Sequence, residues 1–410
     1  MSVGASRGSF GKSPPRLRPN LEILSARSRL CKGRRMDDVL IFFASNRKGD
    51  ELFRELAGRF HKSHYVATGY ASLPAPYRIA LRLLNRVGLH LKDRPRLDYR
   101  LRLSIARRTR ARVEQLLKEA DGGRAQLLSW HCLFPVTPDW RELARVSVIS
   151  DVPMTEDYFK HFGIRGAEAR SLRERIRATT VENCENFFTH SEWAAEVNKS
   201  LYPTHAAKIV RIGWGSDMPA VPRDVALRTR TSKRVLCIGN DFYRKGVDFF
   251  DQVASRLKER VPGLECMVAG NPGRSFPVRG LRHLTVLGPV ARPQLAQYLK
   301  EATLFALFSR FEPAGHVTVE AMSYGVPVLC SNEGGISEPV IEGVTGFVCP
   351  SFSVDQAAER AYHILSDPAR IATFRERAYE HALDCWQWRN VADRIMTRLG
   401  CPDAAFVRGR

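Results

Sequence analysis

Phe311-Glu312-Pro313-Ala314-Gly315-His316-Val317-Thr318-Val319-Glu320-Ala321-Met322 holds seven residues between two carboxylates, across a glycine-containing turn that reads as a helix start. Glu312 falls in the loop and Glu320 in the opening of the helix. Both can then face one ligand, while the backbone N–H groups of Gly315, His316 and Val317 point at an anion. Such a frame suits a polyhydroxylated group attached to phosphate, for example a nucleotide sugar. A lone Glu is commonly a capping or solvent-facing carboxylate, but that reading does not account for a pair in this frame.

The chain continues with Tyr324-Gly325-Val326-Pro327, Gly334-Gly335 followed by Glu338, and Thr345-Gly346. Together with the Glu pair, this composite resembles the family 4 glycosyltransferases, also called group 1, and does so well over about residues 180–400. The first 150 residues match only in their alternation of strands and helices. The resemblance implies an α/β chain of the GT-B fold, with two Rossmann-like, doubly wound domains facing across a cleft. It also implies a hexosyltransferase-type enzyme that takes a sugar from a nucleotide-diphosphate donor and retains its anomeric configuration. Attack would come from the front face, with the departing phosphate helping to accept the acceptor's proton and no protein nucleophile. In similar enzymes the residue at Glu320 binds the ribose hydroxyls and that at Glu312 approaches the donor sugar.

Length and charge agree with two domains. At 410 residues and 44% apolar composition the chain exceeds one ordinary domain. Nine cysteines without a C-x-x-C pair argue against zinc and against a disulfide framework, and read as reduced thiols. No stretch approaches the ~20 apolar residues of a membrane span. No secretory signal is expected, so the expected location is the cytosol, with peripheral contact at the inner face of the membrane as an extension. The net charge of +21 is uneven: residues 1–150 hold 30 Lys+Arg against 13 Asp+Glu, or +17, leaving +4 for the rest. That excess calls for an anionic partner of the first half, or is simply a solvated basic face.

Residues 1–35 are basic and without apolar period, as disordered segments are. Val39–Ala44 then reads as a buried parallel strand, and strand and helix patterns alternate to about residue 215 in an acceptor domain. Residues 216–232 read as a polar, proline-containing linker. A second series, 233–385, forms the nucleotide-sugar domain. Residues 386–410 supply a C-terminal helix that crosses back to the first domain, and a tail.

Val235–Gly239 runs into Asn240-Asp241-Phe242-Tyr243-Arg244-Lys245-Gly246, so cations follow the carboxyl end of a strand, where an open sheet binds anions. Family resemblance assigns Lys245 to the donor diphosphate. Similar enzymes have an Arg directly after the strand's glycine, where this chain has Asn240; Arg244 is the candidate for the second charge, unless it is an ordinary surface arginine. The chain has no Asp-x-Asp motif, so the expectation is no metal and no cofactor, with Lys245, Arg244 and the amides of residues 315–317 stabilising the leaving group. In the first domain His131 follows one strand and Asp151 another, and either can orient or deprotonate the acceptor hydroxyl. His131 is equally a structural histidine, and Asp151 can simply make an Asx turn. Glu338 can cap or pack a helix start.

The expected partners are a nucleotide-sugar donor, a saccharide or lipid-linked acceptor, and an anionic membrane surface. A basic nucleic-acid-binding protein is the competing class, but basic charge without interleaved aromatics licenses only non-specific attraction. An epimerase or inverting transferase on the same fold is the other alternative. Arg78, Arg82 and Arg86 lie at a spacing of four beside Leu81, Leu83, Leu84 and Val87, a basic stripe next to an apolar face. Each arginine near an anionic bilayer contributes roughly 1 kcal/mol, so replacing all three with Gln should weaken co-sedimentation with anionic liposomes about a hundredfold. Neutral liposomes should bind neither form; lack of binding to anionic liposomes at low salt removes the membrane from the account.

Overall fold

A computed structural model describes residues 36–44, 49–68, 73, 75–86, 91, 94–119, 125–130, 134–229, 233–273 and 276–400, with backbone only at 36–38, 80 and 82–86. His131, the segment 1–35, the tail after residue 400 and the side chains of Arg82 and Arg86 lie outside the described residues. Strands β1 (Met36–Ala44), β2 (Phe60–Ala67), β3 (Ala125–Trp130), β4 (Arg145–Ile149), β5 (Asn186–Thr189) and β6 (Ile209–Arg211) form the first sheet, in the order β2-β1-β3-β4-β5-β6. Strands β7 (Arg234–Ile238), β8 (Glu265–Ala269), β9 (Thr285–Gly288), β10 (Leu304–Leu307), β11 (Val328–Ser331) and β12 (Gly346–Cys349) form the second, in the order β12-β11-β10-β7-β8-β9. All pairings are parallel.

A parallel sheet is covered on both faces, so its central strands are apolar throughout. In β1, Leu40 and Phe42 pack with Leu52 and Leu56, while Ile41 and Phe43 turn to the opposite face with Leu101 and Ile105. The second strand was not anticipated. Phe60–Ala67 carries His61, Lys62, Ser63 and His64, and this polarity is tolerated because β2 is an edge strand with mostly half-buried side chains. The helix Ala167–Asn183 was likewise not singled out; seven of its seventeen residues are charged and its apolar stripe is narrow.

Two segments join the halves. The stretch 216–232, expected as a linker, also contains a short helix, Arg223–Leu227, and buries Met218, Val221 and Ala226 against the second domain. The helix Trp388–Arg398 returns to the first domain, where Trp388, Val391, Ala392, Ile395 and Met396 share a core with Leu52, Leu56 and Trp214. Arg59 pairs with Asp393, and Arg398 Nε donates to Asn186 Oδ1 at 2.8 Å. No described helix is long and apolar enough to cross a membrane. The free cysteines among the described residues are buried at Cys184, Cys237, Cys266, Cys330 and Cys349 and exposed at Cys385; burial pushes the Cys237 thiol up to about 12.

Gly246, which opens the helix Val247–Arg260, has φ +65° and no room for a Cβ, which would collide with the carbonyl of Phe308. Close approach of this turn to β10 thus requires glycine. Gly246→Ala should cost about 1–3 kcal/mol or more, from left-handed backbone plus the collision. Urea denaturation with a midpoint equal to wild type would contradict the constraint.

Candidate functional site

The order of the second sheet puts β7 beside β10, the point where the strand sequence reverses direction. Ligands of open α/β sheets bind outside the carboxyl ends of the strands at such a point. Lys245 follows β7 and Glu312 follows β10, and the two side chains form a direct ion pair there. Arg244 Nη1 adds a 3.5 Å contact to the same Glu312 oxygen, Oε2, and donates to the Phe311 carbonyl at 3.1 Å. Asp241, on the same turn, has φ +64°, a strained conformation for a residue with a Cβ. Its backbone carbonyl accepts from Lys245 N at 3.0 Å, which sets where the lysine side chain departs.

Burial is the largest influence on Glu312 and pushes its carboxyl up, but the charges of Lys245 and Arg244 and the Gly315 N–H together outweigh it and hold the group below the usual range. The Gly315 amide, expected to face an anion, donates to Glu312 Oε1 at 3.3 Å. The contact is local: Glu312 lies three residues before Gly315, the residue at the N-terminal boundary of the helix, and folds back onto its amide. Glu320 is 7% exposed, and Arg292 Nη2 lies 3.7 Å from its Oε1. Arg292 also donates to the Asp217 carbonyl at 2.7 Å, and Asp217 Oδ1 accepts from Trp388 Nε1 at 2.9 Å. Sequence reading missed Arg292 and Asp217; nothing at their positions marks them, since Arg292 meets Glu320 and Asp217 only in the folded chain.

Across the cleft, Asp151 follows β4 and is 8% exposed. One ligand atom from each of Asp151, His190 and His316 falls within 4.8 Å of the others. His190 follows β5 and is fully buried; its Nδ1 donates to the Gly213 carbonyl at 2.8 Å, so Nε2 bears the lone pair of the neutral ring. The rings of His190 and His316 meet edge to face at 5.1 Å, and Trp130 and Trp388 flank them. His190 was overlooked, though it obeys the positional rule that singled out Asp151. Two imidazoles and a carboxylate are also a donor set that suits a transition-metal ion, in contrast to the expectation of no metal site.

The loop between β10 and the helix His316–Met322 therefore reaches both sides. Glu312 meets Lys245, Val317 packs on the second core, and His316 meets Asp151 and His190. Ser191 Oγ donates to the Pro313 carbonyl and accepts from Ala194 N at 3.0 Å, tying this loop to the start of a first-domain helix. Glu338 Oε1 accepts from Trp193 N at 3.0 Å on that same helix, so it caps a helix start in the other domain.

Residues 223–381 match the family model described as glycosyl transferases group 1. The chain is 28% identical over 256 residues to a glycogen synthase of Mycobacterium tuberculosis, covering 60% of this chain and 61% of that protein. It is 28% identical over 258 residues to a GDP-mannose-dependent alpha-(1-6)-phosphatidylinositol monomannoside mannosyltransferase of the same organism, covering 58% of this chain and 66% of that one. The chain thus spans less than two thirds of the length of each. Sucrose-phosphate synthase from Thermosynechococcus elongatus superposes with a TM-score of 0.59 at 16% identity, over 88% of this chain and 98% of that structure. The fold is GT-B.

Because the folded-state pKa of Glu312 is depressed, its contribution to stability is present above the ordinary carboxylate value of 4.5 and is lost as pH falls through the lower folded value. Glu312→Gln should be less stable than wild type at pH 7 by about 1.5–3 kcal/mol, the loss of a hydrogen-bonded charge. Denaturation at a series of pH values should show the gap closing below about pH 4.5; a gap independent of pH would mean that the carboxylate charge is not what the two cations hold.

Proposed function

We propose that the protein is a family 4 glycosyltransferase that moves a sugar from a nucleotide-diphosphate donor to an acceptor hydroxyl, with retention and without a metal. The observation that carries this reading is the loop 312–316, whose two ends meet Lys245 in one domain and Asp151 with His190 in the other. A donor held at the switch point of the second sheet has its diphosphate beside Lys245 and Arg244, and its sugar between the domains. Glu320, with Arg292, is the ribose clamp, since a carboxylate accepts two hydroxyl protons.

In the transfer step the anomeric carbon–oxygen bond to phosphate breaks and its electron pair goes to the nucleoside diphosphate. The acceptor oxygen bonds the same face of that carbon, and its proton passes to the departing phosphate oxygen. Lys245 and Arg244 stabilise the charge that develops there. Glu312 keeps the two cations ordered and faces the sugar. Asp151, with His190 behind it, orients the acceptor hydroxyl. His131 stays a candidate for the same task, and Gly315, His316 and Val317 line the loop beneath the donor. The acceptor is a saccharide or a lipid-linked one, and the protein works in the cytoplasm or peripherally at the membrane, where its basic half meets an anionic surface; charge excess alone gives no reason to invoke nucleic acid.

A panel of UDP-, GDP- and ADP-sugars, read by nucleoside diphosphate release, tests the reading. Glu320→Ala should raise the donor Kd about tenfold to a hundredfold, whereas Glu312→Ala and Lys245→Ala should depress turnover by a similar factor. Wild-type kinetics in all three folded variants would refute the site. Turnover abolished by a chelator and restored by a divalent ion would place the metal in the Asp151, His190 and His316 cluster and end the metal-free mechanism.

A further inference from the structure

A cavity of about 840 Å³ opens between the two domains, beside the Glu312 loop. Lys160 and His161, at the end of the first-domain helix Glu156–His161, form one side of it. The turn Asp241–Arg244, the start of the helix Val247–Arg260 and the loop after β8 form the other. Two contacts join the cavity to the candidate site. Arg244 lines it and reaches Glu312 Oε2, and the His161 ring stacks at 5.5 Å on Phe311, the residue before Glu312.

The wall holds an aromatic ring that is both exposed and fixed. Tyr243 is 57% exposed, and the Arg310 guanidinium lies over its ring at 4.4 Å. Arg310 is itself anchored: both terminal nitrogens donate to the Asp248 carboxylate at 2.8 Å, and Nη1 also donates to the Tyr243 carbonyl. Its backbone N–H donates to the Arg244 carbonyl at 2.7 Å. A single exposed aromatic is common on any protein. One backed by an anchored cation is already ordered, so a ligand that stacks on its other face loses little further entropy in ordering it.

Around that ring the chemistry is mixed. Asp241, Asp248 and Asp251 bring carboxylates, Lys160 and Arg244 bring cations, and Gln252 brings an amide that donates and accepts. Burial lowers the pKa of His161, so at pH 7 its neutral ring also offers one donor and one acceptor. Charges of both signs around one cavity suit neither a polyanion nor a polycation. A saccharide fits this wall: each hydroxyl donates and accepts, and the apolar C–H face of the sugar lies against the negative face of an aromatic ring. Sites for whole small ligands measure about 300–1,000 Å³, so the space admits far more than the one hydroxyl that reacts. The strained Asp241, at φ +64°, belongs to the same wall, as strained residues at ligand sites do.

We infer that, resting on the glycosyl-transfer reading above, this cavity seats the sugar units of an uncharged oligosaccharide acceptor that lie next to the unit being extended, with the Tyr243 ring as their stacking platform. The acceptor then bridges both domains, His161 touching it from one and Tyr243 from the other. A monosaccharide acceptor would leave the cavity empty.

Binding of the full chain to an array of neutral gluco-, manno- and galacto-configured di- to tetrasaccharides, their monosaccharides and sulfated counterparts tests this, with calorimetry on the strongest ligand. UDP, GDP and ADP form a separate arm. Wild type should bind neutral oligosaccharides more tightly than the matching monosaccharide. Tyr243→Ala should weaken that binding about tenfold, while Tyr243→Phe, which keeps the ring, should bind as wild type does. Gly280→Phe adds a ring on the cavity wall, where a Cβ meets no atom within 4 Å, and should weaken binding as well. Nucleotide binding should be unchanged in all three. Absence of neutral oligosaccharide binding, a preference for the sulfated ones, or binding that neither folded Tyr243→Ala nor Gly280→Phe alters overturns the cavity as the site. Loss of nucleotide binding in Tyr243→Ala would put the donor's base on the ring and overturn it too. Oligosaccharides that bind without raising nucleoside diphosphate release above the matching monosaccharide overturn the assignment to the acceptor. Wild type that binds oligosaccharide but none of the three nucleotides would instead count against the donor site, so the two readings fail separately.

Discussion

The cleft depends on one close approach of backbone to backbone, that of Glu312–Pro313 to Gly334–Gly335. Gly335 N donates to the Glu312 carbonyl at 2.9 Å, and a Cβ on either glycine would strike the carbonyls of Glu312 or Pro313. Gly335 also lies against Ser191, whose hydroxyl donates to Pro313 from the other domain. This three-way contact holds the loop after β10 in one position. Glu312 is thereby kept against Lys245, and His316 against Asp151, so a packing constraint on two glycines becomes the geometry of a site.

The charges in that site are not arranged for stability. Taking Lys245, Arg244 and Glu312 largely out of water costs several kcal/mol per ion, and such pairs are often no better than apolar residues of the same volume. Asp241 adds a left-handed backbone where glycine would be unstrained. Strain and buried charge concentrated on one turn, Asn240–Gly246, are the mark of a segment shaped to meet a ligand. The stabilising work is done elsewhere, in the two sheets and in the helix Trp388–Arg398, whose apolar face lies in the first domain's core and whose Trp388 meets Asp217 from the segment between the domains.

The candidate residues of the second domain were legible as a group because they lie close together along the chain. Glu312 and Glu320 share one loop and helix, and Arg244 and Lys245 share one turn, so short-range spacing carried the information. Strands β1, β3 and β10 were legible for a similar reason, since apolar runs mark strands buried on both faces. By contrast β2 concealed itself as a polar edge strand, and His190 sat unnoticed between a strand and a helix cap. Arg292 and Asp217 come from distant segments, and no local pattern unites them.

By itself, then, the sequence determined two parallel α/β domains, a carboxylate pair after a strand and a pair of cations after another, because these follow from periodicity and from residues within one or two turns of each other. Tertiary structure alone decided that Lys245 pairs with Glu312 and that His316 crosses to Asp151 and His190. Those contacts join segments tens to hundreds of residues apart. Their existence depends on sheet order and on how closely glycine lets two backbones approach, which no local pattern in the chain encodes.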